Sequence, residues 1–258
     1  MGSRFAIRLE YDGTAYAGSQ FQKDEPTIQG ALEAALRQLT SSDMRVDLAG
    51  RTDAGVHALG QVAAFTTELD NDARWWLRAL NGVLPHDIAA ARVVPVAADF
   101  DPRRDATRRW YRYSIVSRPA RPVLARARAW HVPAPLDLEM MREAASLLVG
   151  RHDFASFCGA LEPGRTTTRT IFSSCLTRRY ETIRYDVVGD AFLPQQIRRM
   201  VGALVRVGQD KMPVSAFAAT LEKADHGSSG HVAPPHGLCL MNVEYEGLDL
   251  GVRNYEDL

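Results

Sequence analysis

Phe5, Ile7, Leu9 and Tyr11 alternate with Arg8 and Glu10, the period-two pattern of a half-buried strand. Ile28, Leu32, Leu36 and Leu39 then step along one helical face. Short strands are expected over Val46 to Ala49 and Gln61 to Thr67, a helix over Ala73 to Leu80, and a closing strand over Ile88 to Val96. The series βαββαβ then repeats. Tyr111, Tyr113 and Ile115 alternate with Arg112 and Ser114; Leu138, Met141, Ala145 and Leu148 are spaced helically; strands follow at Ile171 to Arg179 and around Ile183, Tyr185 and Val187. Ile197, Met200, Val201, Leu204 and Val205 predict a helix, and Met241, Val243 and Tyr245 a last strand. The pattern predicts an α+β protein of two ferredoxin-like halves, residues 1–104 and 105–258, whose antiparallel sheets join side by side with helices on one face and a cleft on the other.

With 258 residues and 46% hydrophobic content the chain can bury one large core or two modest ones. Its net charge of +0 does not single it out as a nucleic-acid binder. The distribution changes that picture, because Arg103, Arg104, Arg108, Arg109, Arg112, Arg118, Arg121, Arg126 and Arg128 fall in one stretch with Asp105 as its acid. The arginine fork suits bidentate phosphate contacts and stacking on bases. Cys158, Cys175 and Cys239 are far apart, so neither a disulfide framework nor a zinc site is expected, and a reducing cytoplasm is the simplest compartment. No apolar run approaches ~18 residues, so neither a membrane span nor export is expected.

The candidate chemistry lies in Ala49-Gly50-Arg51-Thr52-Asp53-Ala54-Gly55-Val56-His57-Ala58, where a carboxylate stands beside an arginine in a turn bounded by two glycines. Such a loop at a strand end can present Asp53 as a nucleophile. It can also be an Asx-type turn with Arg51 as its surface partner. His57 is expected to pack in the loop, and the adjacent His152 and Asp153 do not make a metal site.

The decapeptide resembles the signature of the tRNA pseudouridine synthase A family, and the resemblance extends over nearly the whole chain. Tyr11-Asp12-Gly13-Thr14 with Tyr16, Gly18 and Gln20, then Thr27-Ile28-Gln29-Gly30, is similar to the family's opening strand and loop. Arg109-Trp110-Tyr111-Arg112-Tyr113 resembles its Arg-x-Tyr-x-Tyr strand, and Phe192-Leu193, Ile197-Arg198 and Val201-Gly202 resemble its arginine-bearing helix. Gly150, His152-Asp153-Phe154, Thr168-Arg169 and Ala233-Pro234-Pro235 with Gly237-Leu238 complete the match. Departures stand at Ser19, where tryptophan is common, at Gln195 and Gln196, where a histidine-containing pair is usual, and at Cys239, where tyrosine is common.

The resemblance implies the pseudouridine synthase fold, a central RNA-binding cleft, and cofactor-free isomerisation of uridine to pseudouridine on the 3′ side of the tRNA anticodon stem and loop. It makes Asp53 the catalytic carboxylate, Tyr111 the residue that contacts the target base, and Arg198 the partner of the aspartate. Phe100, Asp101 and Arg103 resemble a tRNA-touching segment, and Arg51, Arg104, Arg109, Arg165 and Arg169 are counted with the substrate-binding set. Tyr113, on the same strand face as Tyr111, is expected to go to the core. A homodimer gripping one tRNA, without metal or membrane, is likewise implied. The rival reading is a non-catalytic RNA-binding module on a ferredoxin-like sheet.

Overall fold

The alternating segment at the N-terminus is strand β1 (Ser3–Tyr11) in the computed structural model, which describes residues 2–162 and 164–251. It is followed by α1 (Ile28–Thr40), β2 (Asp47–Leu48), β3 (His57–Thr67), α2 (Ala73–Val83) and β4 (Ile88–Val96). The second series is β5 (Ala106–Ser117), β6 (Trp130–Val132), α3 (Leu138–Ser146), β7 (Gly150–Asp153), β8 (Thr168–Arg179), β9 (Thr182–Gly189), α4 (Gln196–Gly208), α5 (Val214–Lys223) and β10 (Leu238–Tyr245). Helices α1, α2 and α3 start where side chains satisfy open donors of the first turn. Thr27 Oγ1 accepts the Gly30 N–H at 3.1 Å, Asp72 Oδ1 that of Trp75 at 2.7 Å, and Asp137 Oδ1 those of Glu139 and Met140.

The chain divides into two compact units, one running through Arg109 and resuming at Cys239, the other Trp110–Leu238. In the first, β1 lies antiparallel between β3 and β4, with Ile7 opposite Ala63 and Val93. Strand β2 pairs with the far half of β3, giving the order β4-β1-β3-β2 of a ferredoxin-like unit. β10 runs parallel to the start of β3, Cys239 facing His57. Leu32, Leu36, Trp76 and Leu80 from the two helices are fully buried, and the Trp76 ring meets Phe65 edge-on at 4.9 Å. In the second unit β5, β9, β8 and β7 follow one another, with β8 antiparallel to both neighbours and the short β6 parallel to β5. Its core gathers Phe154, Phe157, Tyr185, Met200 and Phe217, none of them more than marginally exposed. The protein is thus α+β with mostly antiparallel pairing, as the residue pattern predicts.

Pattern reading leaves out β6, β7 and α5. β6 and β7 are too short for periodicity to register. Helix α5 carries Val214, Phe217, Ala218 and Leu221, a helical spacing that would have disclosed it. Within α2, a Cβ built on Gly82 would have nothing within 4 Å. Gly82→Ala is therefore expected to stabilise the protein by about 0.5–1 kcal/mol, a rise in melting temperature of roughly 1–4 °C on thermal unfolding.

Candidate active site

Asp53 lies in the loop between β2 and β3, half-buried, with Arg51 and Ala54 exposed on either side. The loop is tied down at nearly every residue. Gln61 Nε2 donates to the Gly50 carbonyl at 2.9 Å. Thr52, itself buried, receives three further bonds: its carbonyl accepts the Ser19 N–H at 3.1 Å, its N–H donates to Ser19 Oγ at 2.8 Å, and its Oγ1 lies 2.9 Å from the Tyr11 hydroxyl. Beyond Asp53, the Gly55 N–H donates to the Tyr16 carbonyl and that of Val56 to the Asp53 carbonyl at 3.1 Å. Gly55 takes φ +76°, the left-handed conformation a glycine adopts without cost, so the turn closes as the sequence expects. Burial drives the Tyr11 pKa up to about 12, against smaller opposing effects of hydrogen bonds with Thr52 and Gln61, which keeps the hydroxyl protonated.

The opening motif is the other wall of this loop. His57 is buried at the start of β3, where its Nδ1 accepts the Gly13 N–H at 3.1 Å. A Cβ on Gly13 would meet the Val56 carbonyl oxygen at 2.0 Å and its carbon at 2.7 Å, both backbone atoms that cannot swing aside. Gly13→Ala should therefore force the Asp12–Ala15 segment and the Asp53 loop apart. We expect a loss of about 1–3 kcal/mol by denaturant unfolding, with a larger proportional fall in activity than in stability.

Four of the expected substrate-binding residues, Arg51, Asp101, Arg103 and Arg104, line one open cavity of about 350 Å³ in the first unit, with Gln20 and Gln29 among its other walls. Asp101 builds the turn beneath it, its Oδ1 accepting the N–H groups of Arg103 at 2.9 Å and Arg104 at 3.1 Å. Partial burial pushes the Asp101 pKa up, but those two bonds and the nearby Arg104 and Arg4 charges together outweigh it and hold the carboxyl below its ordinary value. Phe100 stacks obliquely on Tyr245 at 5.2 Å, and its carbonyl accepts from Arg4 Nε. Arg109 is turned inward: it is buried, and its guanidinium donates to the carbonyls of Arg103 at 2.7 Å and Ala49 at 3.1 Å. It braces the 101–105 turn against the residue that opens the Asp53 motif.

In the second unit Tyr111 is buried on β5 with its ring edge-on to Phe192 at 5.3 Å. Tyr113 is fully buried, the fate expected for it, and its hydroxyl donates to the Pro234 carbonyl at 2.8 Å. Burial raises the pKa of that hydroxyl. Arg198 stands half-buried on α4, with its Nε donating to the Ala233 carbonyl at 2.8 Å and its own carbonyl accepting the Ala233 N–H at 3.0 Å. The Ala233-Pro234 segment therefore orients both Arg198 and Tyr113. At the head of α4, Gln196 Oε1 accepts the Leu193 N–H at 2.8 Å, so one of the two departing glutamines serves the helix start.

On the opposite face of β5, Asp186 accepts from Trp110 Nε1 and Arg112 Nε, each at 2.8 Å, while the Arg112 guanidinium lies over the Trp110 ring. The sequence offered no sign of this buried cluster. Other members of the arginine-rich stretch are dispersed: Arg118 pairs with Glu181, and Arg121 and Arg126 line a cavity of about 530 Å³ with Trp130 and His131. Arg165 pairs with Glu162 at 3.2 Å, and Arg169 Nη1 donates to the carbonyls of Thr166 and Thr168. Among the described residues no group of histidine, cysteine and acidic side chains could hold a metal ion, and no helix is long and apolar enough to cross a membrane.

The sequence model of the tRNA pseudouridine synthase family matches residues 7–103 and 144–246, which include Asp53, Arg51, the 100–103 segment and Arg198. The tRNA pseudouridine synthase A of Moorella thermoacetica is 44% identical over 241 residues, covering 93% of this chain and 98% of the relative. That of Geotalea daltonii is 42% identical over 237 residues, covering 92% and 97%, and that of Myxococcus xanthus 42% identical over 243 residues, covering 94% and 92%. With a signature loop built as described and likeness along nearly its full length, the chain belongs to the tRNA pseudouridine synthase family.

Proposed function

We propose that this protein isomerises uridine to pseudouridine in tRNA, with Asp53 as the essential carboxylate, Tyr111 holding the target base and Arg198 pairing with Asp53. The observation that carries the reading is the Asp53 loop: a half-buried carboxylate on backbone held at Gly50, Thr52, Gly55 and Val56. Anchoring of that density is what a reacting group needs, because catalysis depends on geometry set before the substrate arrives.

In the reaction the C1′–N1 bond breaks, the uracil turns, and C1′ bonds to C5. The C5 proton is lost and N1 gains one, so neither a redox partner nor a group donor enters. Asp53 either attacks covalently or assists removal of a ribose proton, and Tyr111 is the proposed acceptor of the C5 proton. A uridine paired in the stem has to leave the stack to be reached, at a cost of a few kcal/mol.

Arg51, Arg103 and Arg104 around their shared cavity suit the RNA phosphates, with Phe100 and Asp101 shaping the turn that displays two of them. Arg109 contributes by bracing that turn, and we assign Arg165 and Arg169 to substrate binding with them. We take the substrate to be the 3′ side of the anticodon arm, the assembly to be a homodimer and the compartment to be a reducing cytoplasm. Two subunits sharing one tRNA need only a local basic strip each, in keeping with a net charge of +0.

The test is pseudouridine formation in an unmodified tRNA transcript with uridines in its anticodon arm, the purified protein and no added cofactor. Product is expected. Tight RNA binding without product across a range of tRNAs would leave the non-catalytic binding module as the reading.

A further inference from the structure

Ser19 has no exposed surface, yet it is polar and joins two backbone segments. Its N–H donates to the Thr52 carbonyl at 3.1 Å and its Oγ accepts the Thr52 N–H at 2.8 Å. The residue gripped in this way is the one that immediately precedes Asp53. Tyr11 holds Thr52 from its other polar end, through Oγ1 at 2.9 Å, and Gln61 Nε2 reaches both the Tyr11 hydroxyl at 3.4 Å and the Gly50 carbonyl. A side chain without an acceptor oxygen could not take the Thr52 N–H, whereas the serine hydroxyl does.

We propose that Ser19 is a positioning residue of the reaction: its hydroxyl fixes the Thr52 peptide and thereby aims the Asp53 carboxylate. The proposal rests on the reading of Asp53 as the catalytic carboxylate. Losing Oγ strands the buried Thr52 N–H, and a 51–52 peptide that re-orients to find another acceptor shifts the Thr52 Cα, from which the 52–53 peptide and Asp53 continue. The side chain touches no substrate in this account, so the effect falls on turnover and not on RNA affinity.

The experiment compares the native protein with Ser19→Ala, Ser19→Thr, Ser19→Cys and Asp53→Asn in the same pseudouridine assay on one unmodified tRNA transcript. Thermal melting, tRNA binding and Thr52 amide hydrogen exchange are measured alongside. Ser19→Ala is expected to lower kcat roughly 10- to 100-fold with KM for tRNA within about twofold, and to speed Thr52 amide exchange. Ser19→Thr should restore most of kcat because it keeps the acceptor. Ser19→Cys, close in size and a weaker acceptor, should fall between, and it carries the test if the alanine variant does not fold. An unchanged kcat in Ser19→Ala or Ser19→Cys would overturn the proposal. So would unaltered Thr52 exchange, or a fall in kcat that tracks melting temperature and is not recovered by threonine. Full activity in Asp53→Asn would mark failure of the catalytic reading itself, whereas Thr52 exchange reports on the clasp independently.

Discussion

Asp53→Asn is expected to lower pseudouridine formation by at least about 10³-fold while tRNA binding and melting temperature stay near those of the native protein. The substitution is nearly isosteric, and many of the bonds that shape the loop run through other groups: the Thr52 backbone and hydroxyl, the Gly50 and Asp53 carbonyls, and the Gly55 and Val56 N–H groups. None of them requires the Asp53 carboxylate. An amide can neither act as the nucleophile nor take a ribose proton, so the loss should appear in kcat under either route. The readout is release of the C5 hydrogen from uridine labelled at that position, with RNA binding measured on the same preparation. Activity within tenfold of native would remove Asp53 from the centre of the mechanism. A variant that melts much lower would instead assign the carboxylate to the turn, the Asx-type alternative that the sequence leaves open.

The largest loss of stability is expected from Asp186→Ala, about 3–5 kcal/mol, which corresponds to roughly 6–20 °C in melting temperature. The side chains of Asp186 and Arg112 are only 7% and 16% exposed, and their closest approach is 2.8 Å. Removing the carboxylate leaves the Arg112 guanidinium and the Trp110 N–H without this acceptor in a place water reaches poorly. Trp110 and Arg112 alternate with Tyr111 and Tyr113 along β5, so disorder on the Asp186 face should disturb the tyrosine face as well. Asp186→Asn retains an oxygen acceptor for both donors and should lose distinctly less. Chemical denaturation of the two variants decides the matter, and a loss under about 1 kcal/mol in Asp186→Ala would show that the cluster relaxes or admits water.

Part of the site was legible as a string. The decapeptide around Asp53 draws its meaning from neighbours in sequence: a short apolar strand, two glycines and an acid at a strand end. The alternation in β1 and β5 and the helical spacing in α1 and α4 are equally local, because the backbone repeats every two or nearly four residues whatever lies across from it. Ile88–Val96 came out to its exact limits for that reason. Tyr113 was assigned to the core correctly on the same grounds.

What the residue pattern could not supply was partnership. Arg103, Arg109 and Arg112 look alike in one arginine-rich stretch, yet Arg103 is exposed at a cavity, Arg109 is buried against the carbonyls of Ala49 and Arg103, and Arg112 is paired with an acid 74 residues away. A guanidinium's fate depends on which acceptors the fold brings within reach, and these come from distant chain segments. Ser19 read as a departure from the family and turned out to clasp Thr52, 33 residues on. β10 reads as the closing strand of the second series, whereas its register against His57 and Ala58 groups it with the first unit. Periodicity and turn chemistry, being properties of adjacent residues, determined most of the elements, and the likeness of the decapeptide to a family signature marked the candidate carboxylate. Hydrogen-bond partners, burial of charge and strand order are properties of residues far apart in the chain, and only the tertiary structure decided them.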